Sequence, residues 1–217
     1  EIFEGMGLGK VLDHITPDLV VIGEASQFTL NIGQRGRAEI VVETQGINAH
    51  SSSPERGLNA VYKMAMLILQ LQKISLPTHA KLGKAIIELT DIISSPYPGA
   101  SVIPDRCKAT YDRRLLVGES PESVLQSILD CIENLKLEDN SLQASVKFAE
   151  AVERTYTGAI LGGERYFPAW LIDRDTEIVQ KAMKGIKKAG IEPVLRCYSF
   201  CTDGSESAGR RGIPTIG

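Results

Sequence analysis

Cysteine, histidine and long apolar runs are all scarce in this sequence, and each shortage excludes a class of protein. The 217 residues include four cysteines, Cys107, Cys131, Cys197 and Cys201, and three histidines. The cysteines are scattered and lack the paired spacing of a zinc ribbon or a disulfide-dense secreted domain, so they read as reduced thiols of a cytoplasmic protein. Cys197 and Cys201 form the closest pair, but a C-x3-C without a second pair or a nearby histidine is weak as a metal motif. Two half-buried thiols of a strand or loop is the favoured reading. No stretch of about 18 apolar residues is available to span a bilayer. A formal net charge of -3 leaves no electrostatic footprint for nucleic acid. Neither partner is expected. An initiator methionine and a signal-peptide pattern are also missing at Glu1, and Ile213 to Gly217 reads as a strand entering a loop, so the expectation is a piece of a longer chain.

What is present suffices for one large domain or two modest ones with a real core. Gly5-Met-Gly-Leu-Gly9 reads as a flexible turn before a short helical stretch to about His14. After Pro17, the run Leu19-Val-Val-Ile22 has the continuous apolar character of a buried parallel strand, ended by Gly23-Glu24-Ala25-Ser26. Ala38 to Thr44 alternates as a strand, and a helix with small polar capping residues runs from about Leu58 to Lys73. Strands follow at Ala85 to Ile93 and Cys107 to Leu115, separated by a Ser/Pro/Gly loop. Ser120-Pro121-Glu122-Ser123 opens a helix reaching about Lys136, with Ser120 as cap and Pro121 in the first turn. A strand from Leu142 to Ala149 completes the order strand, helix, strand, strand, helix, strand, which is that of a ferredoxin-like split βαβ module. Beyond it come a helix from Arg174 to Ala189 stopping at Gly190, a strand from Val194 to Tyr198 and a loop-rich Thr202 to Ala208 that opens a helix. The expected fold class is α/β, with an α+β module at 34–152 inserted between two pieces of another domain at 1–33 and 153–217.

Several side chains could carry chemistry. Glu24 stands at the carboxyl end of a strand, where open α/β sheets place their sites, and is either a metal carboxylate or a surface loop residue. Glu1 carries no signal of its own. His50 lies in the polar loop Gly46 to Pro54, where it either donates to a developing oxyanion or faces solvent. His14 and His79 read as surface residues. Arg113 and Arg114 end a strand whose period of two sends them to opposite faces; one can bind a carboxylate by its planar fork while the other is an ordinary surface cation. Gly5-x-Gly-x-Gly9-Lys10 departs from a phosphate loop in its spacing and in Val11 after the lysine.

Taken together, Val20 to Ser26, Gly33 to Gly46, Ala49-His-Ser-Ser-Ser-Pro-Glu-Arg-Gly-Leu-Asn-Ala-Val61, Val102-Ile-Pro104 and Tyr111-Asp-Arg-Arg114 resemble the dinuclear zinc peptidase and deacylase family. That family includes acetylornithine deacetylase, succinyl-diaminopimelate desuccinylase, aminoacylase and glutamate-releasing carboxypeptidases. Gly33 to Lys63 and Tyr111 to Glu119 are most similar to its hydrolases linked to selenium metabolism. The resemblance implies a partial zinc-peptidase-like catalytic domain carrying a ferredoxin-like lid and dimerisation domain. It places Glu24 on the family's terminal carboxylate ligand and Glu1 on the second member of its Glu-Glu pair. It places His50 on the lid histidine that crosses to a partner subunit's site in dimeric members, and Arg114 on the lid arginine that binds a substrate carboxylate. Ser101 stands at a substrate contact where the family often has Asn. Thr202-Asp203-Gly204 resembles its substrate-facing loop, with Gly-Gly-Thr altered to Phe200-Cys201-Thr202. The general base, the His-x-Asp motif, the bridging Asp and the last His ligand are implied to lie outside the sequence.

The mechanism so implied is hydrolysis of an amide of an N-acyl amino acid, dipeptide or related small substrate. Two zinc ions, or cobalt or manganese, polarise a water deprotonated by the absent Glu, and His50 steadies the oxyanion across a homodimer. The chain alone is expected to be inactive. Two rival readings are a non-catalytic dimerisation or binding module and nucleotide binding at Gly5 to Gly9.

Overall fold

The computed structural model describes residues 4–217; Glu1 lies outside them. Helix α1 (Met6–Leu12) leads to strand β1 (Val20–Val21), β2 (Leu30–Gln34) and the long β3 (Gly36–Gln45). Helix α2 (Ala60–Leu71) follows, then the two-residue strands β4 (Thr78–His79) and β5 (Gly83–Lys84), and two ten-residue strands, β6 (Ile86–Ser95) and β7 (Arg106–Leu115). Helix α3 (Pro121–Glu138) and β8 (Gln143–Phe148) complete the inserted unit. A hairpin of β9 (Glu150–Arg154) and β10 (Ile160–Glu164) leads to β11 (Tyr166–Phe167), β12 (Trp170–Leu171), α4 (Glu177–Lys188) and β13 (Leu195–Tyr198). A π-helical turn (Ser205–Arg210) and β14 (Thr215–Ile216) close the described chain.

Strands β8, β3, β7 and β6 lie side by side in that order, every pair antiparallel, which is the split βαβ topology expected from the element order. Strand β11 joins the same sheet beside the start of β3, pairing Tyr166 with Ala38. One face is apolar because the period of two puts Ala38, Ile40 and Val42 on it together with Ala109, Tyr111 and Leu115 of β7. Both helices cover that face. Helix α2 presents Ala60, Met64, Leu67 and Leu71, and α3 presents Val124, Ile128, Ile132 and Leu135, all buried at helical spacing in one continuous core. Each of the larger of these side chains, the Val, Leu, Ile and Met, contributes roughly 1.5–3 kcal/mol by leaving water.

The helix starts are capped as the sequence implies. The Asn59 side chain accepts from the Val61 N–H at 2.9 Å. Ser120 and Ser123 exchange bonds in a capping box, with Pro121 in the first turn. At the far end of α3, Asp139 takes an ion pair from Lys63 of α2, whose Nζ also donates to Ser141 at 2.7 Å.

The flanking segments meet across the whole length of the chain. Strand β1 pairs in parallel with β14, Val20 beside Thr215. A second sheet orders β12, β2 and β13, with α4 packed on it through Val179 against Leu30, Ile32 and Ile216. The architecture is therefore α/β, a ferredoxin-like module set between flanking pieces of an α/β unit.

Three expectations need correction. The run from Leu19 to Ile22 does form a parallel strand, but only two residues pair and Val21 is 65% exposed, because no described element covers that face. The glycines at 7 and 9 are not a turn before a helix; they lie inside α1. Gly9 abuts the Glu206 carboxylate so closely that a Cβ would come within 3.1 Å of its Oε1, and Arg211 ties the Gly9 carbonyl to Asp13. Finally, neither Arg113 nor Arg114 is an ordinary surface cation. Arg113 is buried, donating to the carbonyls of Ile86 at 3.3 Å and Arg114 at 2.5 Å and pairing with Glu119, which in turn accepts from the Leu116 N–H.

Candidate active site

The Thr202–Asp203 loop and Glu24 come from opposite ends of the chain and line one cavity of about 490 Å³ together with Glu4, Leu8 and Phe200. Glu24 follows β1 and stands exposed at the rim. The loop is fixed by bonds to distant residues. Asp203 Oδ1 accepts from the Gly5 N–H at 2.7 Å, joining positions 198 residues apart. Thr202 points inward: its hydroxyl donates to Gln34 Oε1 at 2.5 Å and accepts from the Gly204 N–H at 3.1 Å. Gln34 completes the knot by donating to Ser205 Oγ at 2.8 Å. Gly204 is buried against Trp170, where a Cβ would sit 2.3 Å from the indole nitrogen. Thr202 and Gly204 thus hold the loop's shape, and Asp203 joins it to the start of α1.

Cys201 precedes this loop. Its thiol is pushed up to about 12 by burial, partly offset by the Ser205 hydroxyl 3.0 Å away. Cys197, in β13, is also held above the ordinary thiol range by burial. All four cysteines are free.

Arg114 lies on the strand pair β3–β7, beside Arg37 in register. Its Nε donates to Asp112 Oδ1 at 2.7 Å, while Arg37 Nε takes Asp112 Oδ2 at 2.9 Å. Arg37 reaches on to Glu4 Oε1 at 2.9 Å. Burial works against the Arg37 charge, but bonds to Asp112 and Glu4 outweigh it and hold the guanidinium above its usual pKa. Glu39, paired with Arg165 at 2.7 Å, borders the same cluster. Glu4, which pairs with Arg37, also lines the cavity of Glu24 and the Thr202–Asp203 loop, and so sets the near end of this network beside that loop.

His50 and Ser101 form a separate group. The loop after β3 runs along the loop before β7, with the Ser51 N–H on the Ser101 carbonyl and the Ile103 N–H on the Ala49 carbonyl, each at 2.8 Å. His50 is exposed, and its Nδ1 accepts from the Ser52 N–H at 3.2 Å. The same nitrogen lies 2.8 Å from Ser52 Oγ, and no bond to a described residue engages Nε2. Eight steps along β3 lead from Arg37 to Gln45, a span of roughly 26 Å at strand rise. His50 and Ser101 therefore sit at the opposite end of the module from Arg114, Glu24 and Asp203.

Residues 32–140 match the family model described as a peptidase dimerisation domain, of the M20 type. The chain belongs to the M20 peptidase family. It is 33% identical over 208 residues to YgeY of Escherichia coli, an alignment covering 94% of this chain and 50% of that protein. It is 24% identical over 181 residues to a metallohydrolase of Methanocaldococcus jannaschii, covering 83% of this chain and 46% of the other. Among solved structures, aminopeptidase PepT from Bacillus cereus superposes with a TM-score of 0.70 at 18% identity, over 98% of this chain and 52% of that one, and so shares the fold. The chain spans about half the length of the curated relatives it matches.

M20 membership makes the chain part of a family of metallopeptidases and amidohydrolases, and implies use of a metal. Among the described residues, no group of three or more His, Cys, Asp or Glu side chains converges tightly enough to hold an ion. Glu24 is one candidate ligand, a carboxylate of the kind zinc takes, and the described residues do not complete a set around it. Sequence reasoning missed Glu4, Gln34 and Arg37. Arg37 stood in the segment that carries the family resemblance, but nothing local marks a cation whose partners lie 33 and 75 residues away.

Proposed function

We propose that this chain supplies the lid and part of the catalytic half of a zinc-dependent hydrolase that cleaves the amide bond of an N-acyl amino acid, a dipeptide or a related small substrate. The observation that carries the reading is the shared cavity of Glu24 and the Thr202–Asp203 loop, to which Glu4 ties the Arg114 network. When bound, zinc, or cobalt or manganese in its place, would supply a Lewis acid for the scissile carbonyl. Glu24 would give it one carboxylate, and Glu1 another. Arg114 keeps the outer edge of its guanidinium for a substrate carboxylate, with Ser101 as a further contact.

His50 supports a homodimer in this reading. Its exposed imidazole, donating through Nε2, would suit an oxyanion, yet its own chain holds it at the far end of the lid. A partner's cavity is the place for it. The outer edge of β6 is unpaired among the described residues, and the neighbouring α2 exposes Tyr62, Met66 and Leu69, an apolar edge and face able to meet a second copy. No described helix is long and apolar enough to cross a membrane; the reading places the protein in the cytoplasm, with no nucleic-acid partner.

In a chain extended to the length of its relatives, His50→Ala is expected to lower turnover about 10²–10³-fold, the scale of one oxyanion donor, with metal content and dimerisation unchanged. Unaltered turnover removes His50 from the mechanism. A second reading, a dimerisation module without catalysis, draws on the match to residues 32–140. Metal analysis separates the two: stable dimers that never take up metal favour the module. Nucleotide binding at Gly5 to Gly9 meets the Glu206 carboxylate packed on Gly9, which would repel a phosphate.

A further inference from the structure

Four charged side chains run in series from the segment before α1 to the lid arginine. Glu4 Oε1 holds Arg37 Nη1 at 2.9 Å, Arg37 Nε holds Asp112 Oδ2 at 2.9 Å, and Asp112 Oδ1 holds Arg114 Nε at 2.7 Å. All four are largely shielded from water, with side-chain exposures between 13% and 27%. We infer that Glu4 is a positioning residue which, through Arg37 and Asp112, sets the angle at which Arg114 meets a substrate carboxylate. The inference rests on the carboxylate-binding reading of Arg114 given above.

Asp112 divides its two oxygens between two arginines. A carboxylate facing one arginine tends to close a bidentate fork on it. Here Arg37 occupies Oδ2, and the second nitrogen of Arg114, Nη2, is left 3.4 Å from that oxygen. Asp112 therefore grips Arg114 chiefly through Nε, and Nη1 is engaged by no bond to a described residue. Arg37 can hold that position only if its own far edge is fixed. Its other acidic neighbour, Glu39, lies 3.7 Å from Nη2 and is already paired with Arg165, so the close bond at that edge comes from Glu4. Glu4 precedes α1 and borders the cavity that Glu24 and Asp203 line, whereas Arg37, Asp112 and Arg114 belong to the lid sheet. The series therefore ties the angle of the lid arginine to the docking of the lid on the segment beside the site.

Positioning and simple charge predict opposite signs. Glu4→Gln removes a negative charge near an anion site, which by electrostatics alone tightens anion binding. If Glu4 acts by holding the series in place, the same change weakens it. The experiment is an NMR titration of this chain, reading the arginine side-chain N–H signals, with N-acetylglycine as probe and N-acetylglycinamide as the uncharged control. The expected result is that Arg114 responds to the acid and not to the amide, and that Glu4→Gln weakens binding of the acid about ten-fold, the scale of one charge-assisted hydrogen bond. Unchanged or tighter binding in Glu4→Gln overturns the inference. Should the unsubstituted chain show no response, the carboxylate reading of Arg114 fails on its own. The ligand-free spectra then decide the series: a displaced Arg114 Nε–H in Glu4→Gln supports it, and an unmoved one overturns it. If Glu4→Gln does not fold, Arg37→Lys, which keeps the charge but loses the fork, is read in the same way.

Discussion

The lid module and the flanking segments differ in how far apart in sequence their partners lie. Every strand of the split βαβ unit has a partner within residues 36–148, with β11 added beside β3 from outside it, and its core is one continuous cluster from Ala38 to Phe148, joined by Tyr166 of β11. In the flanks, β1 meets β14 from the other end of the chain, strands are often two residues long, and apolar side chains such as Val21 and Phe28 stay exposed. Partners within one module go with long strands and one continuous buried core, although Tyr62 and Leu137 on its helices stay exposed. Distant partners leave a smaller core held by polar knots such as Gln34–Thr202–Ser205.

The largest test of this contrast is a matched truncation. Leu67→Ala in the lid core is expected to cost about 4–5 kcal/mol, and Leu30→Ala in the flank about 2–3 kcal/mol, since the cost rises as the surroundings become less able to collapse. Urea unfolding can be followed by two probes. The single tryptophan, Trp170, reports the flank, and far-UV circular dichroism is weighted toward the lid helices. Equal losses at both positions would erase the distinction. Coincident transitions by both probes would show that the two regions unfold as one.

A smaller effect is expected at the cap of α3. Ser120→Ala should lower stability by about 1 kcal/mol, the usual loss for an N-cap, and should register in circular dichroism at the lid transition. A loss within error would mean that the tertiary packing of α3 makes the capping box redundant.

Smallest in energy near pH 8 is the response of Cys201, whose effect on stability grows only as pH rises past the range of an unfolded thiol. Its folded pKa is raised to about 12 by burial, whereas an unfolded thiol titrates near 8.5. The contribution is therefore fully present below about pH 8.5 and declines as pH rises from there toward 12. Native Cys201 should alkylate far more slowly at pH 8 than the same thiol in denaturant. Equal rates would show that the knot around Gln34 opens readily.

Element boundaries follow the same division. The strands at Ala38 to Thr44, Ala85 to Ile93 and Cys107 to Leu115 were legible because alternation records a half-buried sheet. Strand β2 was not: its Leu-Asn-Ile-Gly-Gln is buried throughout, polar residues included, and no periodicity announces a strand whose Gln34 side chain is satisfied by Thr202 and Ser205 and whose Asn31 backbone pairs with Gly217. The β9–β10 hairpin was missed because its Val152 and Ile160 face water and leave no core pattern.

From sequence alone came the lid module, its two capped helices, its strand order, the family, and the candidacy of Glu24, His50, Arg114 and Asp203. Those features rest on local periodicity, on capping chemistry and on motifs that survive as short strings. Only the tertiary structure decided which of these residues meet. It brought Glu24 and Asp203 to one cavity, set His50 at the far end of the lid, turned Thr202 inward and linked Glu4 to Arg114 through Arg37 and Asp112. Hydrogen bonds and ion pairs depend on position in space, and residues as far apart as Gly5 and Asp203 become neighbours only once the intervening chain has folded.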